Sequence, residues 1–200
     1  MKLVVATRNP GKLTELRALF APLGWEPISL EEAGVRGEVE EDQPTFRGNA
    51  EKKARAALTA TGLTALADDS GLEVDALGGA PGVHSARFAG GDGHDDAANN
   101  ARLLHELSDV PDDLRSARFR CALCWLEPNG RRVIVEGACE GRIAGRAVGK
   151  GGFGYDPLFL VTDGEYDGSR TMAELPLAEK NRISHRARAL QALLRSLSRG

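Results

Sequence analysis

Two adjacent carboxylates, Asp68 and Asp69, follow a short apolar run at residues 63–67. Carboxylates in a partly buried place lose hydration free energy unless a cation or hydrogen-bond donors compensate. Mg²⁺ would do so, because it prefers oxygen ligands and takes only one or two carboxylates from a protein. Glu40 or Glu41 could supply the second carboxylate. The pair also fits a simpler interpretation, in which one aspartate caps a turn and the other is solvated.

A candidate phosphate site lies between an apolar run at residues 2–6 and a helical pattern that starts near Leu13. Exposed N–H groups at the start of a helix favour a phosphate, and a lysine adds a mobile positive charge. The glycine spacing and the Lys-Ser/Thr pair of a Walker A loop are missing. The stretch also fits an ordinary turn with a helix cap. In order, it reads Thr7, Arg8, Asn9, Pro10, Gly11 and Lys12.

A glycine-rich stretch at residues 151–157 carries Phe153 and Tyr155, although aromatic residues make up only 5% of the chain. An aromatic side chain in a loop can stack on a nucleotide base, which is worth roughly 1–3 kcal/mol. The alternative is an apolar plug that closes the core.

A third group, Ser184, His185 and Arg186, combines hydroxyl, imidazole and guanidinium groups that could bind the edge of a base. Histidine and arginine on a helix can instead be solvated or paired with a carboxylate such as Glu179. The group is not a Ser-His-Asp triad, because adjacent helix residues point about 100° apart.

The elements that must position these residues alternate between strand and helix. Residues 2–6 predict a strand, and residues 45–60 predict a helix that Gly62 ends. Residues 63–67 then predict a buried strand with the acid pair at its carboxyl end, where open α/β sheets bind ligands.

The second half of the chain predicts a hairpin and a long final helix. Residues 118–126 and 132–139 are strand-like and are joined through Asn129-Gly130, a strong hairpin signal. The final helix is predicted to start near Pro176 and to carry residues 184–186 in its middle.

Composition excludes several classes of protein. The 200 residues are 42% hydrophobic and 28% charged, which predicts one domain or two small lobes. With 26 basic and 29 acidic residues, the chain lacks the positive charge of a nucleic-acid polymer binder. It has neither an apolar run of about 20 residues nor a signal-peptide-like start, so we expect no membrane contact and a cytoplasmic location. The three cysteines are interpreted as reduced thiols.

Taken together, the motifs agree in order and spacing with one family along nearly the whole chain, although each motif alone is weak. The chain resembles the inosine triphosphate pyrophosphatases, the dITP/XTP pyrophosphatases that remove deaminated purine nucleotides. The matching segments are residues 7–12, Asn49-Ala50 with Lys53, and residues 67–72, 78–82, 152–157, 179–181 and 184–186.

The resemblance implies hydrolysis of a purine nucleoside triphosphate between the α and β phosphates, with Mg²⁺ as cofactor. It also implies a single domain over residues 1–200, with an elongated, two-lobed α/β fold, a mixed sheet and a central nucleotide-binding cleft. The family is usually homodimeric.

The resemblance further implies roles for single residues. Asp69 is the general base that activates water, and Glu40 or Glu41 holds the metal with it. Phe153 stacks on the base, while Gly154 and Tyr155 complete its loop. The phosphates contact Thr7, Asn9, Lys12, Lys53 and Lys180, with Arg8, Pro10 and Gly11 in the same loop, Ser70 beside them and Arg87 as a further candidate. The polar edge of the base is surrounded by Asp156, His185 and Arg186.

Selectivity would follow from hydrogen-bond direction. Hypoxanthine and xanthine present an acceptor oxygen where adenine presents an amino donor, so donors from His185 and Arg186 would reject adenine. Two other functions stay open on the sequence alone. One is a pyrophosphatase for modified pyrimidines, and the other is a nucleotide sensor without turnover.

Overall fold

The computed structural model describes residues 2–37, 39–91 and 95–199. The chain divides into two compact units, each built from several segments. Unit 1 comprises Met1–Asp69, Cys121–Gly137 and Arg186–Gly200, and unit 2 comprises Ser70–Arg120 and Ala138–His185.

Strands and helices alternate along the first half of the chain, as the sequence predicts. The strands are β1 Lys2–Val5, β2 Glu26–Ser29, β3 Ala65–Val74, β4 Ser116–Leu126, β5 Arg132–Ile143 and β6 Phe159–Val161. The α-helices are α1 Pro10–Phe20, α2 Phe46–Thr61, α3 Asp96–Glu106, α4 Leu177–Ile183 and α5 His185–Leu197.

The six strands form a sheet in the order β2-β1-β3-β4-β5-β6. Strand β1 runs parallel to β2 and β3, whereas β5 and β6 are antiparallel. A five-residue connection joins β4 to β5, which are neighbours in the sheet, so this pair is the predicted antiparallel hairpin. The α/β class with a mixed sheet is confirmed.

Helix α1 begins at Pro10, earlier than the sequence pattern predicts. Asn9 caps it, because its side-chain oxygen accepts the N–H of Lys12 at 3.0 Å. Proline suits the first helical position, since its missing N–H would have no partner there. Gly11 and Lys12 therefore lie in the first turn of the helix rather than in a loop.

Strand β3 is longer than predicted, and the placement of the acid pair at its carboxyl end is wrong. The strand continues through Asp68 and Asp69 to Val74. The neighbouring strand β1 ends at Val5, which pairs with Leu66. The acid pair thus lies just beyond the end of β1 although it is inside β3.

The predicted final helix is two helices, so the expectation that residues 184–186 lie in the middle of one helix is also wrong. Ser184 is extended, with φ −61° and ψ 153°, and separates α4 from α5. His185 and Arg186 begin α5 and fall in different units.

Each unit has its own apolar core. In unit 1, Leu3, Leu66 and Leu193 belong to a buried cluster that packs α1 and α5 against the sheet. In unit 2, Leu72, Leu103 and other buried side chains form a second cluster. No helix within the described ranges is both long and apolar enough to cross a membrane.

Candidate active site

Both carboxylates of the acid pair are buried in unit 1. Asp68 is 0% exposed and Asp69 is 4% exposed, so the interpretation with a capping and a solvated aspartate is wrong. Asp68 is surrounded by donors: Lys12 Nζ lies 2.6 Å from its Oδ1, and Arg186 Nε and Cys121 Sγ each lie 3.0 Å from its Oδ2.

A second carboxylate shares the guanidinium of Arg186. Glu15, which is buried on α1, is the ion-pair partner of Arg186 Nη1. Burial alone would raise the pKa of Asp68, but the positive charges of Arg186 and then Lys12 hold that pKa well below its ordinary value. Asp68 is therefore an ionised carboxylate that links α1 to α5.

Asp69 faces a different set of donors, supplied by α2. Lys53 Nζ lies 2.8 Å from Oδ1, and Asn49 Nδ2 donates to Oδ2 at 3.2 Å. Burial raises the pKa of Asp69, and the attraction of Lys53 and Lys12 offsets only part of this effect. The same Lys53 ammonium binds Glu41 at 2.7 Å. A carboxylate with a raised pKa is a better proton acceptor than an ordinary aspartate.

Two carboxylates near Lys53, those of Glu41 and Asp69, have the oxygen ligands that suit a magnesium ion. Glu41 and Asp69 both bind the ammonium of Lys53, so oxygens of two carboxylates face one cation position. Mg²⁺ takes one or two protein carboxylates and completes its shell with water and phosphate oxygens. Glu40 is exposed, whereas Glu41 is half-buried. Across residues 2–37, 39–91 and 95–199, no three side chains of His, Cys, Asp or Glu gather into a metal cluster.

The predicted phosphate stretch surrounds the start of α1. The hydroxyl oxygen of Thr7 accepts the N–H of Asn9 at 3.2 Å, and Asn9 is the cap of the helix. Arg8 donates to the carbonyl oxygen of Gly37 at 2.5 Å, and it thereby binds the segment that precedes the two glutamates. The helix-cap interpretation is correct for Asn9, and a cap leaves the dipole of the helix free to attract an anion.

Three of the predicted site residues, Phe153, Asp156 and Lys180, lie together in unit 2. Asp156 and Lys180 are both buried and lie 2.6 Å apart. Asp156 also accepts the N–H of Phe153 at 2.9 Å, and Lys180 Nζ lies 5.0 Å from the centre of the Phe153 ring. Gly152 has a φ of +73°, and a Cβ there would overlap the carboxylate of Asp156. Only glycine fits this position. Because a side chain is absent there, the carboxylate of Asp156 can approach the loop and accept the N–H of Phe153.

The two aromatic residues of the loop differ in environment. Phe153 is half-buried, whereas Tyr155 is buried in the core of unit 2 and donates its O–H to the carbonyl oxygen of Ser85 at 2.8 Å. The plug interpretation therefore describes Tyr155, and a ligand at this residue would contact its backbone. Burial, followed by the nearby charge of Asp96, raises the pKa of the Tyr155 phenol.

The units divide the predicted residues in a way that the sequence does not indicate. Lys180, predicted for the phosphates, lies in unit 2 with Asp156, whereas Arg186, predicted for the base, lies in unit 1 with Asp68. His185 is in unit 2, buried and stacked on Phe119 with ring centres 5.0 Å apart.

Two further predicted site residues, Ser70 and Arg87, also lie in unit 2. Ser70 follows Asp69 in β3 and is half-buried, and Arg87 is exposed at the end of a short turn, Gly82–Arg87.

Sequence reasoning assigned no role to Glu15, gave Asn49 only as part of a matching motif, and considered Asp68 only as the neighbour of Asp69 in a cation site. Glu15 follows Lys12 by three positions on α1, beside the buried Leu16. A charged residue on the apolar side of a helix is a signal of a buried partner. Asn49 holds two groups at once, because its Oδ1 also accepts the N–H of Gln43 at 3.0 Å.

Comparison with known proteins places the chain in a family. A sequence profile of the Ham1 family matches residues 3–196, and the chain belongs to this family. A dITP/XTP pyrophosphatase from Desulforamulus reducens is 56% identical over 199 residues, covering 100% of this chain and 96% of the relative. The resemblance that the ordered motifs indicate is confirmed.

Solved structures agree. A HAM1 protein from Coxiella burnetii is 42% identical, with 100% of both chains covered and a TM-score of 0.86. A nucleoside-triphosphatase, or dITP/XTP pyrophosphatase, from Mycobacterium abscessus is 50% identical, with 97% of this chain and 99% of that chain covered and a TM-score of 0.75.

Proposed function

We propose that the protein hydrolyses the deaminated purine nucleotides ITP, dITP and XTP to the nucleoside monophosphate and pyrophosphate. The observation that carries this proposal is the buried Asp69, which Lys53 and Asn49 hold beside a second carboxylate, Glu41. Two relatives that share half or more of this sequence are named dITP/XTP pyrophosphatases, which supports dITP and XTP as substrates.

Unit 1 would bind the phosphates of the nucleotide and supply the general base, Asp69, that takes the proton from water. Lys12, Lys53 and the start of α1 offer positive charge to a triphosphate, which carries several negative charges. Asp69 takes a proton from the attacking water, the oxygen of that water bonds to the α phosphorus, and pyrophosphate leaves. Asn49 keeps the carboxylate oriented, since its amide is buried and fixed by Gln43.

Mg²⁺ is the cofactor that we propose, held by Glu41 and Asp69. When bound, such an ion neutralises phosphate charge and lowers the pKa of a bound water. Glu41, rather than the exposed Glu40, is the second ligand, because it shares Lys53 with Asp69.

Unit 2 would bind the purine base of the nucleotide. Phe153 supplies a flat face for stacking, and Lys180 and His185 supply donors suited to the acceptor oxygen at the six-position of hypoxanthine or xanthine. Adenine presents an amino donor there, so these donors would find no acceptor oxygen on the base. Arg186 takes a different role from the predicted one, since Asp68 and Glu15 already hold its guanidinium.

The position of bond cleavage can be tested with ITP in H₂¹⁸O, with the products separated and analysed by mass spectrometry. Attack at the α phosphorus places the ¹⁸O in the monophosphate and leaves the pyrophosphate unlabelled. Label in pyrophosphate, or release of orthophosphate, would contradict the proposed reaction.

Truncation of the stacking side chain should weaken nucleotide binding. We expect Phe153→Ala to raise the KM for ITP by about 5- to 150-fold, because stacking is worth roughly 1–3 kcal/mol. Steady-state pyrophosphate release measures the effect, and Leu114→Ala, which truncates a 59% exposed apolar side chain, is the control. An unchanged KM and kcat/KM in the Phe153 variant would remove this residue from the site.

Three further properties remain proposals. A single domain over residues 1–200 and a homodimer are implied by the resemblance, and light scattering at known concentration would measure the mass of the assembly. The cytoplasm is the proposed location, because nucleoside triphosphates are made and used there.

A further inference from the structure

Helix α3 contains none of the residues that the sequence assigns to the site, yet its first two turns contact the glycine-rich loop. Asp96 Oδ2 accepts the N–H of Gly154 at 2.7 Å. Asn100 Nδ2 donates to the carbonyl oxygen of Gly154 at 2.9 Å. Residues four apart lie on the same face of a helix, so Asp96 and Asn100 together bind both backbone groups of one residue.

The residue that they bind controls the direction of the chain after Phe153. Gly154 has a φ of +61°, in the left-handed region that glycine adopts readily. Its N–H belongs to the peptide that joins it to Phe153, so Asp96 fixes the plane of that peptide. On the other side, the N–H of Phe153 is bound by Asp156. The backbone of Phe153 is thus held from both sides.

The contacts of Asp96 are not those of a helix cap. The cap of α3 is the preceding residue, Asp95, whose Oδ1 accepts the N–H of Ala98 at 2.9 Å. The two adjacent aspartates therefore have different roles: Asp95 caps the helix, and Asp96 binds the glycine-rich loop.

The first two turns of α3 also bind the segment that carries Arg87. The buried Asn99 accepts the N–H of Ala89 at 2.7 Å and donates to the carbonyl oxygen of Ala86 at 3.1 Å. Arg102, one turn later, donates to the carbonyl oxygen of Phe88. Helix α3 is a common support for two loops of unit 2.

We propose that Asp96 and Asn100 are positioning residues for the base-binding loop, and that they set the affinity for the base by fixing the backbone that presents Phe153. This inference rests on the proposed function, because it assigns the stacking role to Phe153. Neither side chain needs to contact the nucleotide.

The experiment compares steady-state pyrophosphate release from ITP by the full chain and four variants. Asp96→Ala and Asn100→Ala should each raise KM about 5- to 10-fold and leave kcat within twofold, since the hydrolytic groups of unit 1 are untouched. Asp96→Asn keeps an acceptor oxygen and should recover most of the affinity. Asp95→Ala, the matched control, should lower the unfolding temperature with an unchanged KM.

The outcomes separate the inference from the function on which it rests. If the unchanged protein releases no pyrophosphate from ITP, the proposed function fails. If it is active and the Asp96→Ala and Asn100→Ala variants keep its KM, or if Asp95→Ala raises KM as much as they do, the positioning role is wrong. Thermal unfolding of every variant identifies any that fail to fold. If Asp96→Ala is one of them, Asn100→Ala decides, because it removes the other contact to Gly154 and should still raise KM.

Discussion

Asp69→Asn should bind nucleotide and lose hydrolysis. We expect kcat for ITP to fall by about 10²–10⁴-fold, the usual contribution of a general base. The amide keeps one acceptor oxygen for Lys53, so the fold should persist. Pyrophosphate release measures turnover, and calorimetric titration with a non-hydrolysable ITP analogue measures binding.

The matched control is Asp113→Asn, which makes the same chemical change at an exposed position in unit 2. It should retain the activity of the unchanged protein. More than a tenth of the original kcat in the Asp69 variant would show that another group accepts the proton.

Arg186→Met should cause the largest loss of stability. The substitution leaves Asp68 and Glu15 buried without the cation between them, and breaking a buried ion pair costs about 3–5 kcal/mol. Urea unfolding at pH 7, with EDTA present so that no metal contributes, measures the change in the free energy of unfolding.

The loss should depend on pH in a definite direction. In the folded protein the pKa of Asp68 lies below its ordinary value of 3.8, because burial, which raises it, is outweighed by Arg186 and then Lys12. Such a group stabilises the fold above its unfolded pKa, and the stabilisation is lost as the pH falls through the folded pKa. The stabilisation that Arg186 provides through Asp68 is therefore fully present at pH 7, and the difference between the two proteins should shrink as the pH falls below 3.8.

Arg182→Met is the control for that experiment, because Arg182 is 74% exposed and lies 3.9 Å from Glu165. Its effect should be within about 0.5 kcal/mol. Equal losses of unfolding free energy in the two variants would mean that the buried network contributes nothing specific.

The double variant Arg186→Met with Glu15→Gln should lose less unfolding free energy than Arg186→Met alone, since one uncompensated charge is removed.

The sequence predicts those parts of the fold that depend on local signals. The cap at Thr45 and the left-handed Gly62 bound α2 within one residue of the prediction, because both act through their own backbone. The hairpin at Asn129-Gly130 follows in the same way from the turn.

Features that depend on distant partners are the ones the sequence does not predict. Polar residues at 68–71 suggest the end of a strand, but β3 continues because neighbouring strands pair with it. Residues 177–197 carry a continuous helical pattern, and the extended Ser184 that divides them has no local signal such as proline or glycine.

The candidate site follows the same rule. Motif order identifies Asp69, Lys12 and Lys53, but it does not predict that Lys180 pairs with Asp156 or that Arg186 pairs with Asp68. Each pair lies within one unit, Lys180 with Asp156 in unit 2 and Arg186 with Asp68 in unit 1. A sequence pattern records residue types and spacing, and it carries no information about which charges meet.

The most direct test of the account is the initial rate of pyrophosphate release from ITP, XTP, dITP, ATP and GTP, measured side by side with Mg²⁺. We predict fast release from ITP, XTP and dITP and a value of kcat/KM for ATP that is lower by about two orders of magnitude or more, because adenine presents a donor at the six-position. Guanine shares the acceptor oxygen, so the rate with GTP measures whether the site also discriminates at the two-position. Equal rates on all five nucleotides would be consistent with a hydrolase but would contradict the selectivity against adenine that is assigned to Lys180 and His185. No release from any of them would contradict the enzyme itself and favour a nucleotide sensor.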